Sequence, residues 1–185
     1  MFTQNMKLGL TFFLFLVAIY GGSQVLFYET WREVSFVAVE TDPVELIRGI
    51  PSYVTTQEFQ RRLQEMGNPP QTVKDEQESE PYPNRPPFKH TFIDVEGFRH
   101  LEHTGRLTAH FFNERLAEVY FETPEIHEYY RKLLEQRGIS SQEARELRHG
   151  NLVIRLALGP SGKPHVFLED ERLTDEMKLW IKRYS

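Results

Sequence analysis

The longest apolar run of the chain comes first. From Leu8 to Tyr28 no residue is charged, and Phe12, Phe13, Phe15, Leu16, Val17 and Ile19 set its character. At 1.5 Å per helical residue it reaches about 30 Å, the thickness of a bilayer's hydrocarbon core. Residues 1–28 are therefore expected to form an N-terminal transmembrane helix, with Lys7 before it and Glu29, Arg32 and Glu33 after it. A cleaved signal peptide is the rival reading, with Gly21 and Ser23 as the small residues before a cut. Against cleavage, Gln24–Tyr28 returns to apolar character where a mature N-terminus usually turns polar. After residue 28 the apolar positions recur at periods of two or of three to four, so residues 29–185 read as a single extracytoplasmic α+β domain.

Within that domain, alternation over Arg32–Glu40 predicts a strand. Asp42 and Pro43 suggest the start of a short helical turn that Gly49 and Pro51 stop. Thr55 with Glu58 makes a capping box, and Phe59, Leu63 and Met66 share one face of a helix that Gly67 ends. Residues 68–87 hold six of the eleven prolines and the acidic run Lys74–Glu80, and are expected to form a loop without regular structure. Strands follow near 97–103, 106–112 and 115–122, with turns at Thr104–Gly105 and Asn113–Glu114. Thr123 caps a helix whose buried stripe is Ile126, Tyr129, Tyr130, Leu133 and Leu134, and Gly138 closes it. Ser140 and Glu143 cap a second helix ending at Gly150. A hairpin over residues 151–169 and a last helix, capped by Thr174 with Leu173, Met177, Trp180 and Ile181 inward, complete the chain. The fold class is α+β: an N-terminal transmembrane helix, then an antiparallel sheet with helices packed on one face.

Charge narrows the function. The net charge is −5, and the arginines are interspersed with acids, as in Arg61–Glu65 and Arg131–Arg137. Nucleic acid needs a basic face, and none is present. The chain has no cysteine, which removes disulfides, thiolate metal sites and thiol nucleophiles.

The chemistry on offer is sparse. His100, Glu102 and His110 are the candidate metal ligands, but strand alternation supplies at most two on either face, where zinc needs three or four. Ile126–Arg131 starts like a zinc-protease helix, yet Arg131 stands where a second histidine is required. Gly159–Lys163 lacks the spacing of a phosphate loop and reads as a hairpin turn. No catalytic residue and no cofactor is assigned. The candidate partner-binding residues are Tyr82, held between two prolines, and the strand aromatics Phe112, Tyr120 and Phe121.

Thr55–Val73, followed by Gly105–Phe121, resembles small envelope domains of the BamE/SmpA type. The matching residues are Gly67, Pro69, Phe111, Phe112, Asn113, Arg115 and Leu116, about a third of the chain. There is no lipobox cysteine, the loop between the two parts is long, and a C-terminal extension follows. The resemblance implies an envelope-facing α+β interaction module without catalysis. The expectation is thus a membrane-anchored, non-catalytic accessory, assembly or scaffold subunit that binds other membrane or envelope proteins. Its anchor would sit in a bacterial inner membrane, with the domain in the periplasm. The alternative from the same residues is a ligand- or metal-binding sensor domain.

Overall fold

The computed structural model describes residues 35–40, 42–68, 73–78, 85–139, 146–159 and 162–185. Every described element lies in the compact unit Phe36–Ser185. β1 (Glu45–Ile47) and β2 (Ile50–Pro51) form a small hairpin, and α1 (Thr56–Glu65) follows. β3 (Val73–Glu78), β4 (Lys89–His100), β5 (His103–Phe112), β6 (Arg115–Glu122), β7 (Glu146–His149), β8 (Leu152–Leu158) and β9 (Pro164–Asp170) make one antiparallel sheet. Its order is β3-β4-β5-β6-β9-β8-β7. α2 (Ile126–Gln136) links β6 to β7, and α3 (Glu171–Tyr184) ends the chain. The α+β class and the antiparallel sheet are as expected.

One face of the sheet carries the main core. Ile93, Val95, Leu107, Ala109, Phe111, Val119, Phe121, Ile154 and Leu168 pack there against Phe59 and Leu63 of α1 and against Tyr129, Leu133 and Leu134 of α2. Each large apolar side chain among these contributes about 1.5–3 kcal/mol on burial, which fixes both helices to this face. Phe59 meets Phe111 edge-on with centroids 5.5 Å apart.

α3 lies on the other face. Its Trp180 ring sits 4.0 Å from Phe88, and Phe88 in turn packs on Phe112 at 5.7 Å. Glu176 pairs with Arg115, the cross-strand partner of Phe112. The expected arrangement of helices on one face is therefore corrected: the described helices divide two to one. The reason is that Phe88 and Phe112 put apolar surface on the second face, and α3 covers it. Ile181, expected inward, is 44% exposed. Asp170 rather than Thr174 caps α3, its Oδ1 accepting from the Arg172 N–H at 3.1 Å.

Several local expectations are overturned. Residues 42–51 form the β1–β2 hairpin instead of a helical turn, with Arg48 (φ 46°) and Gly49 (φ 72°) at its tip. An isolated helical turn gains too few hydrogen bonds to nucleate, whereas the hairpin buries Leu46, Ile47 and Ile50. Residues 35–40 contain a turn and an extended stretch but no strand. Val73–Glu78, inside the expected loop, is the edge strand β3, because the ladder with β4 is made by backbone groups and tolerates charged side chains at an edge. Glu146–His149 is strand β7 rather than the end of a helix, since its pairing with β8 sets Leu147 beside Ile154. Residues 140–145 of that helix lie outside the described residues.

The β4–β5 turn falls at Leu101–Glu102, not at Thr104–Gly105, which lies inside β5. Both turn residues have positive φ (48° and 68°), the two-residue geometry that matches strand twist. The Asn113–Glu114 turn has the same geometry and stands where expected. α1 is capped as expected, Thr55 Oγ1 accepting from the Glu58 N–H at 3.2 Å. Thr123 does not cap α2: its hydroxyl donates to the Thr104 carbonyl at 3.1 Å.

Candidate functional site

Beyond α3, the second face is a half-open surface of polar and aromatic side chains. Alternation along the strands sends them there, and the register aligns them in rows. Phe92, His110, Glu118 and Glu169 form one row; Asp94, Thr108, Tyr120, Phe167 and Arg155 form the next. A register shift between His110 and Phe111 takes up Ala117 as an extra residue, so Glu118 stands opposite His110.

A continuous hydrogen-bonded chain crosses these rows. Glu118 Oε1 accepts from His110 Nδ1 at 2.6 Å and from the Tyr120 hydroxyl. On its other side, His110 Nε2 lies 2.5 Å from His90 Nδ1, one ring donating to the other. The His110 ring is stacked on Phe92 (4.3 Å), lies edge to edge with His90 (4.8 Å between centroids), and is 3% exposed. Next along the row, Glu169 accepts from Arg155 at 2.6 Å.

Burial and charge set the protonation of these groups. Burial, and then the adjacent His110, lowers His90 to about 4, so His90 is neutral at pH 7. For Glu118, burial works upward, but the hydrogen bond and charge of His110, together with the Tyr120 hydroxyl, prevail and hold it below the usual carboxylate range. Burial, and then the Glu118 charge, raises Tyr120 far above an ordinary phenol. Burial also raises Glu169, Arg155 offsetting part of it. One carboxylate is held charged and its neighbour is pushed toward the neutral form.

The outer layer of this face is aromatic. Phe92, Tyr120 and Phe167 are half-buried, with Tyr120 edge-on to Phe167 at 4.8 Å. The Arg155 guanidinium lies 5.7 Å from the Phe167 centroid. The polar chain beneath makes its hydrogen bonds within itself, and so fixes these rings at set angles.

A second polar cluster, at the β5–β6 turn, holds the segment that enters the domain. Asn113 Nδ2 donates to the carbonyls of Phe36 and Pro87, both at 2.9 Å, while its Oδ1 accepts from the Lys89 N–H at 2.8 Å. Arg115 Nη1 donates to the Ala38 carbonyl at 2.6 Å. Its Nη2 donates to Phe36 at 2.7 Å and to Glu176 at 2.9 Å. Elsewhere a cleft of about 610 Å³ opens between the start of β5 and the start of α2, with Glu122 in its lining. Arg106 and Lys163 each reach Glu122 at 3.0 Å, and His165 at 3.3 Å.

The residues singled out from sequence are dispersed. His100 lies on the core face, its Nδ1 2.9 Å from the Tyr129 hydroxyl, whereas His110 lies on the second face. Glu102 is at the exposed turn, paired with Lys132 at 2.8 Å. Among the described residues, no group of three or more His, Asp or Glu side chains is placed to hold a metal ion. Phe112 and Phe121 are fully buried: Phe112 lies beneath Phe88, and Phe121 packs against Tyr129 at 4.5 Å. Of the three strand aromatics expected to bind a partner, only Tyr120 reaches the open surface. Tyr82 and the run Leu8–Tyr28 lie outside the described residues. Among those described, no helix is long and apolar enough to cross a membrane.

Sequence reading missed His90, Phe92, Glu118, Arg155, Phe167 and Glu169. The signal was present in the alternation His90–Phe92–Asp94 against Thr108–His110. It could not be aligned while the turn was placed at Thr104–Gly105. The chain matches no protein-family model and no curated protein sequence.

Proposed function

We propose that this is a non-catalytic protein-binding domain, tethered to a membrane through Leu8–Tyr28 and serving as an accessory, assembly or scaffold subunit of a membrane or envelope complex. The domain would face the periplasm from a bacterial inner membrane, and the BamE/SmpA-type resemblance belongs to the same proposal. One observation carries it: the second face sets Phe92, Tyr120 and Phe167, with Arg155, half-exposed on a buried polar network. Aromatic and arginine side chains of low conformational freedom are the residues that dominate protein interfaces. A rigid platform of this kind loses little entropy when a partner covers it. The occupant is another protein of the same membrane.

The test is co-purification of the full-length protein in mild detergent, comparing wild type with Phe167→Ser and Phe92→Ser. A control substitution, Arg131→Ala, lies on the exposed side of α2. Partners that survive the control and are lost with both second-face variants, at unchanged urea midpoint, support the reading. An identical partner set in all four proteins, or none in any, overturns it.

A further inference from the structure

The segment entering the domain runs antiparallel to α3 along its whole length. The Asp42 carbonyl accepts from Arg172 Nη2 at 2.9 Å, in the first turn of the helix. Phe36 and Ala38 are held by Arg115, which also holds Glu176 in the middle of the helix. The Phe36 ring meets Tyr184, in the last turn, at 6.3 Å. The chain therefore enters beside the C-terminal end of α3. Ile181 stands one turn before Tyr184 on the same side of the helix.

That end gathers exposed apolar and cationic side chains. The described residues include four strongly exposed large hydrophobics, and two belong here: Val37 (57%) and Ile181 (44%). Lys178 and Lys182 are exposed on the same half of α3, and Arg183 is half-exposed. Acidic side chains collect toward the opposite end, where Asp170, Glu171 and Asp175 open the helix and Glu40 lies 4.0 Å from Arg172. Lys178 and Asp175 pair at 2.9 Å, which marks the border between the two ends. A polar face with a few apolar residues and clustered lysines is the composition that lies on anionic lipid.

The length of chain ahead of Phe36 limits where this end can be. The uncharged run closes at Tyr28. At about 3.5 Å per residue the seven residues between Tyr28 and Phe36 span at most about 25 Å. We propose that the end of the domain formed by Val37, Ile181, Lys178 and Lys182 rests against the headgroups of an anionic phospholipid surface. The proposal rests on the reading of Leu8–Tyr28 as a membrane anchor. Val37 and Ile181 then enter the interfacial layer, the lysines meet phosphates, and the aromatic second face is left open to a protein partner.

Because the chain has no cysteine, single cysteines can carry a reporter without any other change. Val37→Cys, Ile181→Cys and, as a reference, Leu158→Cys (72% exposed at the far end of β8) are labelled with an environment-sensitive fluorophore in the full-length protein. Each is reconstituted into vesicles of phosphatidylcholine, with or without phosphatidylglycerol, that contain a lipid with a nitroxide near its headgroup. In the anionic vesicles, positions 37 and 181 should be quenched about twofold or more above position 158. Lys178→Glu with Lys182→Glu should bring them down to the reference. Equal quenching at all three positions in protein that floats with the vesicles overturns the contact while leaving the anchor intact. Strong quenching at 37 and 181 that ignores phosphatidylglycerol overturns the anionic assignment. Protein that fails to float overturns the anchor and the contact together.

Discussion

Replacing Arg115 with methionine removes three hydrogen bonds at once and strands a carboxylate. Arg115 is 3% exposed, and its partner Glu176 has a side chain only 14% exposed. Breaking a buried pair by deleting one member costs about 3–5 kcal/mol, because the remaining charge has no counterion. The two carbonyls add little to that figure. Phe36 keeps the Asn113 donor at 2.9 Å, and Ala38, exposed to solvent, can bond to water. The total is therefore expected to stay near about 3–5 kcal/mol, which for a domain of this size lowers Tm by roughly 10 °C. Urea unfolding of the full-length protein in mild detergent measures it. The charge argument makes a sharper demand. Burial already raises Glu176 above its usual range, Arg115 opposing the rise, so losing Arg115 raises it further. As pH falls and Glu176 protonates, the deficit of the variant relative to wild type must shrink. Pairing the change with Glu176→Gln should likewise return part of the loss at neutral pH. A cost below about 1 kcal/mol, typical of a solvent-exposed pair, or a deficit constant with pH, refutes the reasoning.

Two further outcomes follow from the same chemistry. His90 and His100 are each lowered from 6.5 to about 4, mainly by burial, so both are neutral in the folded protein between those values while the unfolded chain takes up protons. Their contribution is whole above pH 6.5 and is lost as pH falls toward 4; the urea midpoint should drop over that window, and His100→Gln should make the drop shallower. Gly105→Ala would put a Cβ 2.0 Å from the Glu122 carbonyl oxygen, so β5 and β6 must separate; a loss of about 1–3 kcal/mol is expected, and an unchanged Tm would contradict the strand spacing.

What could be read in the sequence depended on whether a local signal carried the information. α1 and α2 were legible because Phe59 and Leu63, and the five-residue stripe of α2, repeat at helical spacing. The Asn113–Glu114 turn was legible because asparagine tolerates positive φ. Leu101–Glu102 adopts the same backbone with residues that give no such signal, and Thr104–Gly105, two residues on, offered a false one. That shift changes every cross-strand partner of β4. It concealed the pairing of His100 with His103 on the core face, and with it the separation of His100 from His110. β3 was hidden for a different reason: an edge strand is selected by its backbone ladder, and its charged sequence matches that of a solvated loop. The candidate site was legible only in part, through His110 and Tyr120. Glu118 reaches His110 because Ala117 bulges, and a bulge at an alanine leaves no mark in the pattern.

The hold on the entering segment also sets how the domain bears force. Asn113 in the β5–β6 turn and Arg115 at the start of β6, in the middle strands of the sheet, grip backbone carbonyls rather than side chains. A pull on the chain ahead of Phe36 is passed first to that turn and to Glu176 of α3, bypassing the peripheral strands β3 and β7. The mechanical weak point is then a handful of hydrogen bonds at Phe36 and Ala38, which can let go while the sheet stays whole. Since the grip ignores the side chains of Val37 and Val39, those positions are free to change without loosening it.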